Sequence, residues 1–174
     1  MGQGSPTAII RLATSAEDYA GFGQVCREYV GWCRNRYADL GWFVEAVFGY
    51  QSLEAELEAL EVRYGPPNGR TLIATLDGRV VAGGAWRHTA DGVCELKRLY
   101  VTDGARGHGL GRKLSDALAA SAKAQGYTTL QLDTGERMTE ALALYERTGF
   151  RRVAPYHLYP EDLMPHLVFM ERAL

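Results

Sequence analysis

The chain has 174 residues, of which 47% are hydrophobic and 23% charged, which excludes a disordered or fibrous protein and fits one globular domain over residues 1–174. The 19 Lys and Arg and 21 Asp and Glu give a net charge of -2 without a basic cluster, so we expect no nucleic-acid partner. No apolar run approaches the roughly 18 residues of a membrane span. The first six residues also lack signal-peptide character, so we expect a cytoplasmic protein without a membrane partner.

The first third of the chain predicts one strand and two helices. A β-prone run predicts a strand over 7–12. Ser15 and the acidic residues after it predict a variant capping box and a helix over 16–34. A second helix is predicted over 40–63, where a Gly-Pro-Pro-Asn-Gly run ends it. Its inward-facing residues are expected to be Leu53, Leu57 and Leu60.

The rest of the chain predicts a strand meander followed by alternating helices and strands. An Asp-Gly turn joins the first two strands of the meander as a hairpin. The pair Gly83-Gly84 predicts a bulge or a close approach by another element. Strands are expected over 70–76, 79–88, 94–101, 127–133, 151–157 and 166–172, and helices over 109–125 and 138–147. The order β-αα-βββ-α-β-α-ββ predicts a mixed α/β (α+β) fold.

Three cysteines, at positions 26, 33 and 94, are too sparse for a disulfide framework. They form no CxxC pair, and no histidine follows at the spacing of a metal site. We therefore expect three small buried hydrophobic residues and no metal.

The most informative segment is the loop after the fourth strand, LYVTDGARGHGLGRKL. Its glycines at 107, 109 and 111 permit positive φ angles and close approach of a ligand. The exposed amides and the start of the following helix form an anion site, to which Arg106 and Arg112 add charge. This chemistry suits a diphosphate. The spacing matches neither G-x-G-x-x-G nor a P-loop, and the alternative is a flexible turn whose arginines are solvated.

Two motifs carry a resemblance to a known family. Arg106, Gly109 and Gly111 fit the pattern Gln/Arg-x-x-Gly-x-Gly/Ala, which is the acyl-CoA loop of the GNAT acyltransferases. The later segment ALALYERTGF resembles the family element A-x-x-L-Y-x-x-x-G-F in the expected order and separation. It matches at Ala141, Leu144, Tyr145, Gly149 and Phe150.

The resemblance implies a GNAT fold, in which a mostly antiparallel sheet of about seven strands has helices on both faces and is splayed between strands 4 and 5. Acetyl-CoA would lie in that gap as co-substrate. The backbone of Leu99, Tyr100 and Val101 would pair with its pantetheine arm. The pyrophosphate would bind the loop residues Arg106, Gly107, His108, Gly109, Leu110, Gly111 and Arg112.

Tyr145 is the candidate proton donor to the departing thiolate, because it matches the family's tyrosine near the sulfur. The alternative is an ordinary amphipathic tyrosine under the last helix. A backbone N–H near Leu99 is the expected oxyanion donor. Asp133 and Tyr156 are second-line candidates for contacts with the acceptor.

Glu95 is the candidate general base, because it lies eleven positions before Arg106, where histone-acetylating relatives carry a catalytic glutamate. Burial would raise its pKa towards a useful range. The alternative is an ion pair with Lys97, Arg98 or a neighbouring strand. Another is that a water chain removes the amine proton without a dedicated base.

The acceptor is expected to bind between the N-terminal helices and the final loop. Trp42, Phe43 and Tyr50 are candidates to line a pocket for a partly apolar amine, or to form a homodimer surface. Surface or structural roles are expected for His88, His108, His157 and His166.

The sequence thus predicts an N-acetyltransferase that moves an acetyl group from acetyl-CoA to a primary amine of a small molecule or peptide. The amine would attack directly in a ternary complex. The alternative is a catalytically silent acyl-CoA sensor or partner module of the same fold, and the loop also permits a longer acyl donor.

Overall fold

The computed structural model describes residues 7–174. The first six residues, for which we expected no targeting signal, lie outside this range. The helices are α1 (Ala16–Arg36), α2 (Gly41–Tyr50), α3 (Leu53–Glu58), α4 (Leu60–Tyr64), α5 (Leu110–Ala124) and α6 (Thr139–Arg147). The strands are β1 (Ile9–Leu12), β2 (Gly69–Leu76), β3 (Arg79–Ala90), β4 (Val93–Val101), β5 (Thr129–Gly135), β6 (Arg151–Val153) and β7 (Leu167–Ala173).

The strands form one sheet in the order β1-β2-β3-β4-β5-β7-β6, and β4 and β5 are its parallel neighbours. Their pairing covers the three residues from Val93 to Glu95, opposite Thr129 to Gln131. Within residues 7–174, no further pairs join these two strands, so they separate towards their carboxyl ends. The predicted mixed, mostly antiparallel sheet with a splay between strands 4 and 5 is confirmed.

Alternating side chains of β2 show how the sheet buries both faces. Leu72 and Ala74 belong to the core beneath α5, whereas Ile73 belongs to the core beneath α1. The α5 core includes Leu114 and the α1 core includes Phe22, both fully buried. Helices therefore cover both faces, as the sequence predicted.

The two consecutive glycines of β3 are required by these helices. A Cβ on Gly83 would lie 2.6 Å from the Phe22 ring, and one on Gly84 would lie 2.8 Å from Leu118. The pairing of β3 with β4 shifts register between Gly83 and Ala85. Both the bulge and the close approach are confirmed, as is the capping box in which Ser15 Oγ accepts the N–H of Asp18.

Two predicted elements were wrong. The helix expected over 40–63 is broken at Ser52, whose φ is +55°, and again at Ala59. The breaks turn Glu56 inward, where it is 2% exposed, whereas Leu57 is half-buried. The strand expected over 151–157 ends at Val153, the last residue paired with β7, and Tyr156 and His157 instead contact Glu95 of β4 and Asp133 of β5.

Candidate active site

The glycine loop leads into α5 with its amides uncovered. Gly107 and Gly109 have φ angles of +85° and +69°, and a Cβ on either would have open space around it. Gly109 is the N-cap residue of α5, and no side chain of residues 7–174 caps this helix. The first-turn N–H groups from Leu110 onwards therefore remain available to an anion at the positive end of the helix dipole.

Arg106 is held at the mouth of the gap between β4 and β5. Its Nη2 donates to the Tyr100 hydroxyl at 3.0 Å, and its guanidinium lies 5.5 Å from the Trp32 ring centre. It also pairs with Asp103 at 3.1 Å. Arg112 is exposed on α5. His108 is exposed too, as expected.

A cavity of about 160 Å³ fills the gap and continues inward from Arg106 and Gly111 to Tyr145. Leu99, Tyr100 and Val101 line one wall, so backbone that β5 does not pair borders this space. The amide-rich loop and this strand edge together fit acetyl-CoA, which needs an anion site at one end and an extended apolar channel for its arm.

A bulge in β4 separates the channel from the polar end of the site. Between the pairs Ala85–Lys97 and Gly83–Tyr100, Arg98 and Leu99 lie opposite the single residue Gly84, and Arg98 has a φ of +58°. The Arg98 Nε donates to Glu56 Oε1 at 2.6 Å, and Nη2 donates to Gln51 Oε1 at 2.9 Å. Sequence reasoning missed this trio, because no local pattern reports a pairing between residues 42 apart.

Tyr145 lies where the channel meets a second, inner cavity of about 80 Å³, and it lines both. Its side chain packs edge-on against Phe150 at 5.5 Å. Burial, and secondarily the charge of Asp133, raise the pKa of Tyr145 well above its ordinary value. The phenol therefore keeps its proton throughout the neutral range, and its side chain borders both cavities.

The inner cavity has apolar walls and a charged end. Phe43, Phe48 and Cys33 belong to its walls, whereas Lys97 and Asp133 lie at its charged end. Burial raises the pKa of the Cys33 thiol to about 12, so this sulfur is protonated at neutral pH.

Glu95 is buried beyond this end and has several partners. Arg87 Nη2 donates to it at 3.0 Å, Lys97 Nζ lies 3.5 Å away, and the Tyr156 hydroxyl donates at 3.4 Å. The expected alternative partner Arg98 instead pairs with Glu56. Glu95 lines an outer cavity of about 240 Å³, which shares Lys97 and Gln51 with the inner one.

Asp133 differs from Glu95 in its contacts. Its side chain is 3% exposed and points towards His157, whose Nε2 is 3.7 Å from Oδ2. Burial raises the pKa of Asp133, but His157 and Lys97 outweigh this effect and lower it to about 2. His157 thus lies in the charged cluster, and the surface or structural role expected for it stays a prediction.

The remaining candidates are divided between the site and the surface. Phe43 lines the inner cavity, and the half-exposed Tyr50 lines the outer one. Trp42 is 49% exposed and contacts Phe43 and His166. His88 contacts Tyr127 at 3.1 Å on the other side of the sheet.

Comparisons with known proteins identify the family of this site. A model of the Acetyltransferase (GNAT) family matches residues 25–150. The chain belongs to the GNAT acetyltransferase family. An uncharacterized N-acetyltransferase of Schizosaccharomyces pombe is 33% identical over 123 residues, which cover 70% of this chain and 74% of that protein. An IAA acetyltransferase of Azospirillum brasilense is 38% identical over 109 residues, covering 62% and 70%.

A solved structure shares the fold of this chain. The PaiA N-acetyltransferase of Thermoplasma acidophilum, determined in complex with coenzyme A, covers 97% of this chain and 99% of its own, with a TM-score of 0.69 and 18% identity. At that identity the likeness shows the fold alone. As a member of the GNAT family, the chain is an acetyl-CoA-dependent acyltransferase, which confirms the predicted family, enzyme class and co-substrate. No helix within residues 7–174 combines the length and apolarity needed to cross a bilayer.

Proposed function

We propose that this GNAT protein transfers the acetyl group of acetyl-CoA directly to a primary amine of a small molecule or peptide. The observation that carries the proposal is a run of cavities from the glycine loop, past Tyr145, to the buried carboxylates Asp133 and Glu95. An acyl donor entering at the loop and an amine entering at the charged end would meet beside Tyr145.

In this proposal the loop and β4 hold the donor. The N–H groups at the start of α5, with Arg106 and Arg112, bind the pyrophosphate, and the backbone of Leu99 to Val101 pairs with the arm. Acetyl-CoA supplies the activated acyl group. The N–H of Leu99 follows the Arg98 bulge, where the backbone changes direction, and we assign it to the developing oxyanion.

The proton transfers are assigned to Tyr145 and Glu95. One proton of the acceptor ammonium passes to Glu95 through water in the outer cavity and then to solvent. The neutral amine attacks the acyl carbon, the carbon–sulfur bond breaks, and Tyr145 gives its proton to the sulfur. The second amine proton returns to Tyr145, so the enzyme ends in its starting state.

Direct attack is favoured over a covalent enzyme intermediate by the state of Cys33. This cysteine lines the inner cavity with Tyr145, but a thiol with a pKa of about 12 provides almost no thiolate at neutral pH.

Release of free thiol from acetyl-CoA, measured against a panel of amines with mass analysis of the products, tests the proposal. We expect thiol release that depends on an amine and yields the acetylated amine. Coenzyme A binding without thiol release for any amine would instead identify a silent acyl-CoA-binding module.

A further inference from the structure

The charged end of the site contains two buried polar atoms that the protein does not satisfy. Among residues 7–174, neither Asp133 Oδ2 nor Arg87 Nε has a hydrogen-bond partner. Leaving a buried charged group unpaired is costly, so such atoms commonly mark positions that a ligand completes.

Asp133 Oδ2 has the properties of an ammonium site. The carboxylate is ionised at neutral pH, is 3% exposed and lines the same cavity as Tyr145. His157 Nε2, at 3.7 Å, and the Tyr159 hydroxyl face this carboxylate, but neither forms a hydrogen bond with Oδ2. Glu95, in contrast, already contacts Arg87, Lys97 and Tyr156. A cation entering the site therefore gains more at Asp133 than at Glu95.

Arg87 Nε has the properties of a carboxylate site. Its guanidinium donates to Glu95 through Nη2, and the buried Nε–H has no hydrogen-bond acceptor among the described residues. Arg87 lines the outer cavity and an adjoining one of about 380 Å³. An incoming carboxylate would accept a charge-assisted hydrogen bond from Nε without displacing Glu95.

The two atoms lie at different depths. From Tyr145 outward the cleft presents Asp133 first, then Lys97, which lines both cavities, and then Arg87. We infer that the acceptor is a small amino-carboxylic acid whose ammonium binds Asp133 and whose carboxylate binds Arg87. This inference rests on the proposed acetyl transfer and specifies its substrate class.

A metal ion is the competing occupant, because ligand atoms of Glu95, Asp133 and His157 all lie within 4.8 Å of one another. A divalent cation held by all three would have to displace the Lys97 ammonium, 3.5 Å from Glu95, whereas a substrate ammonium needs only Asp133 Oδ2. We therefore argue for the ammonium, and chelation distinguishes the two.

The test compares matched acceptors in the thiol-release assay on the full chain. Glycine, β-alanine, 4-aminobutyrate and aspartate are each assayed beside the corresponding amide. We expect at least one acid to have a kcat/KM about 10-fold or more above that of its amide. A hydrogen bond to a charged group changes binding by roughly 10- to 100-fold. EDTA treatment should leave this ratio unchanged.

Substitutions show which residue causes the preference for the acid over its amide. Arg87→Met should bring the acid-to-amide ratio close to one, whereas Arg79→Met, an exposed arginine at the other end of β3, should retain it. Equal or faster reaction of the amides in the unmodified enzyme would overturn the inference even if Arg87→Met does not fold. A preference that EDTA abolishes would overturn it in favour of a metal. Absence of thiol release with every amine would contradict the proposed function itself.

Discussion

The guanidinium of Arg98 donates to the carboxylate of Glu56 at 2.6 and 3.0 Å, and the two side chains are only 5% and 2% exposed. The pair connects the bulge of β4 to α3, a short helix on the acceptor side of the cleft. It therefore fixes the position of two walls of the site at once.

We predict that Glu56→Ala lowers the free energy of unfolding by about 3–5 kcal/mol, because it leaves Arg98 buried and unpaired. Urea unfolding measures this change. Glu58→Ala, an exposed glutamate of the same helix, is the matched control and should change stability by less than about 0.5 kcal/mol. Equal effects of the two substitutions would show that the buried pair does not hold α3.

The same pair shows where sequence reasoning stops. The glycine loop, the motif around Tyr145 and the strand order are local patterns, and they predicted the family and the sheet. The broken helix was missed, because Leu53, Leu57 and Leu60 have regular helical spacing while the inward turn of Glu56 depends on Arg98, far away in the chain. The clustering of Arg87, Lys97 and Asp133 likewise depends on β3, β4 and β5 lying side by side.

We predict that Tyr145→Phe lowers kcat about 100-fold or more, because the sulfur loses its proton donor. The aromatic ring and its contact with Phe150 remain, so affinity for coenzyme A should stay within about 2-fold. Steady-state kinetics and calorimetric titration with coenzyme A separate these effects. Full activity of the variant across the pH range would rule out the general-acid role.

We predict that Glu95→Gln lowers kcat/KM about 10-fold or more at pH 7 and that the deficit shrinks as pH rises. At higher pH more of the acceptor amine is already neutral, and a base is needed less. A pH profile of kcat/KM for both proteins checks this. If Glu95 served only as the partner of Arg87 and Lys97, the deficit would be the same at every pH and would follow a loss of stability.

We predict that Gly109→Ala raises the KM for acetyl-CoA about 5-fold. An alanine at a φ of +69° adds roughly 1 kcal/mol of backbone strain to the loop conformation that presents the α5 amides, or it distorts that loop. Gly104→Ala, in the same loop with open space around it and no positive φ, should leave KM unchanged. An unchanged KM for Gly109→Ala would place the pyrophosphate elsewhere.

Direct transfer of the acetyl group is the central claim, and isotope-labelled acetyl-CoA tests it. The enzyme is first incubated with the labelled donor alone, and an accepted amine is added afterwards. We predict an unlabelled protein in the first step, and in the second a labelled amide formed together with free coenzyme A. Labelled protein that passes its label to the amine after the donor is removed would contradict the account.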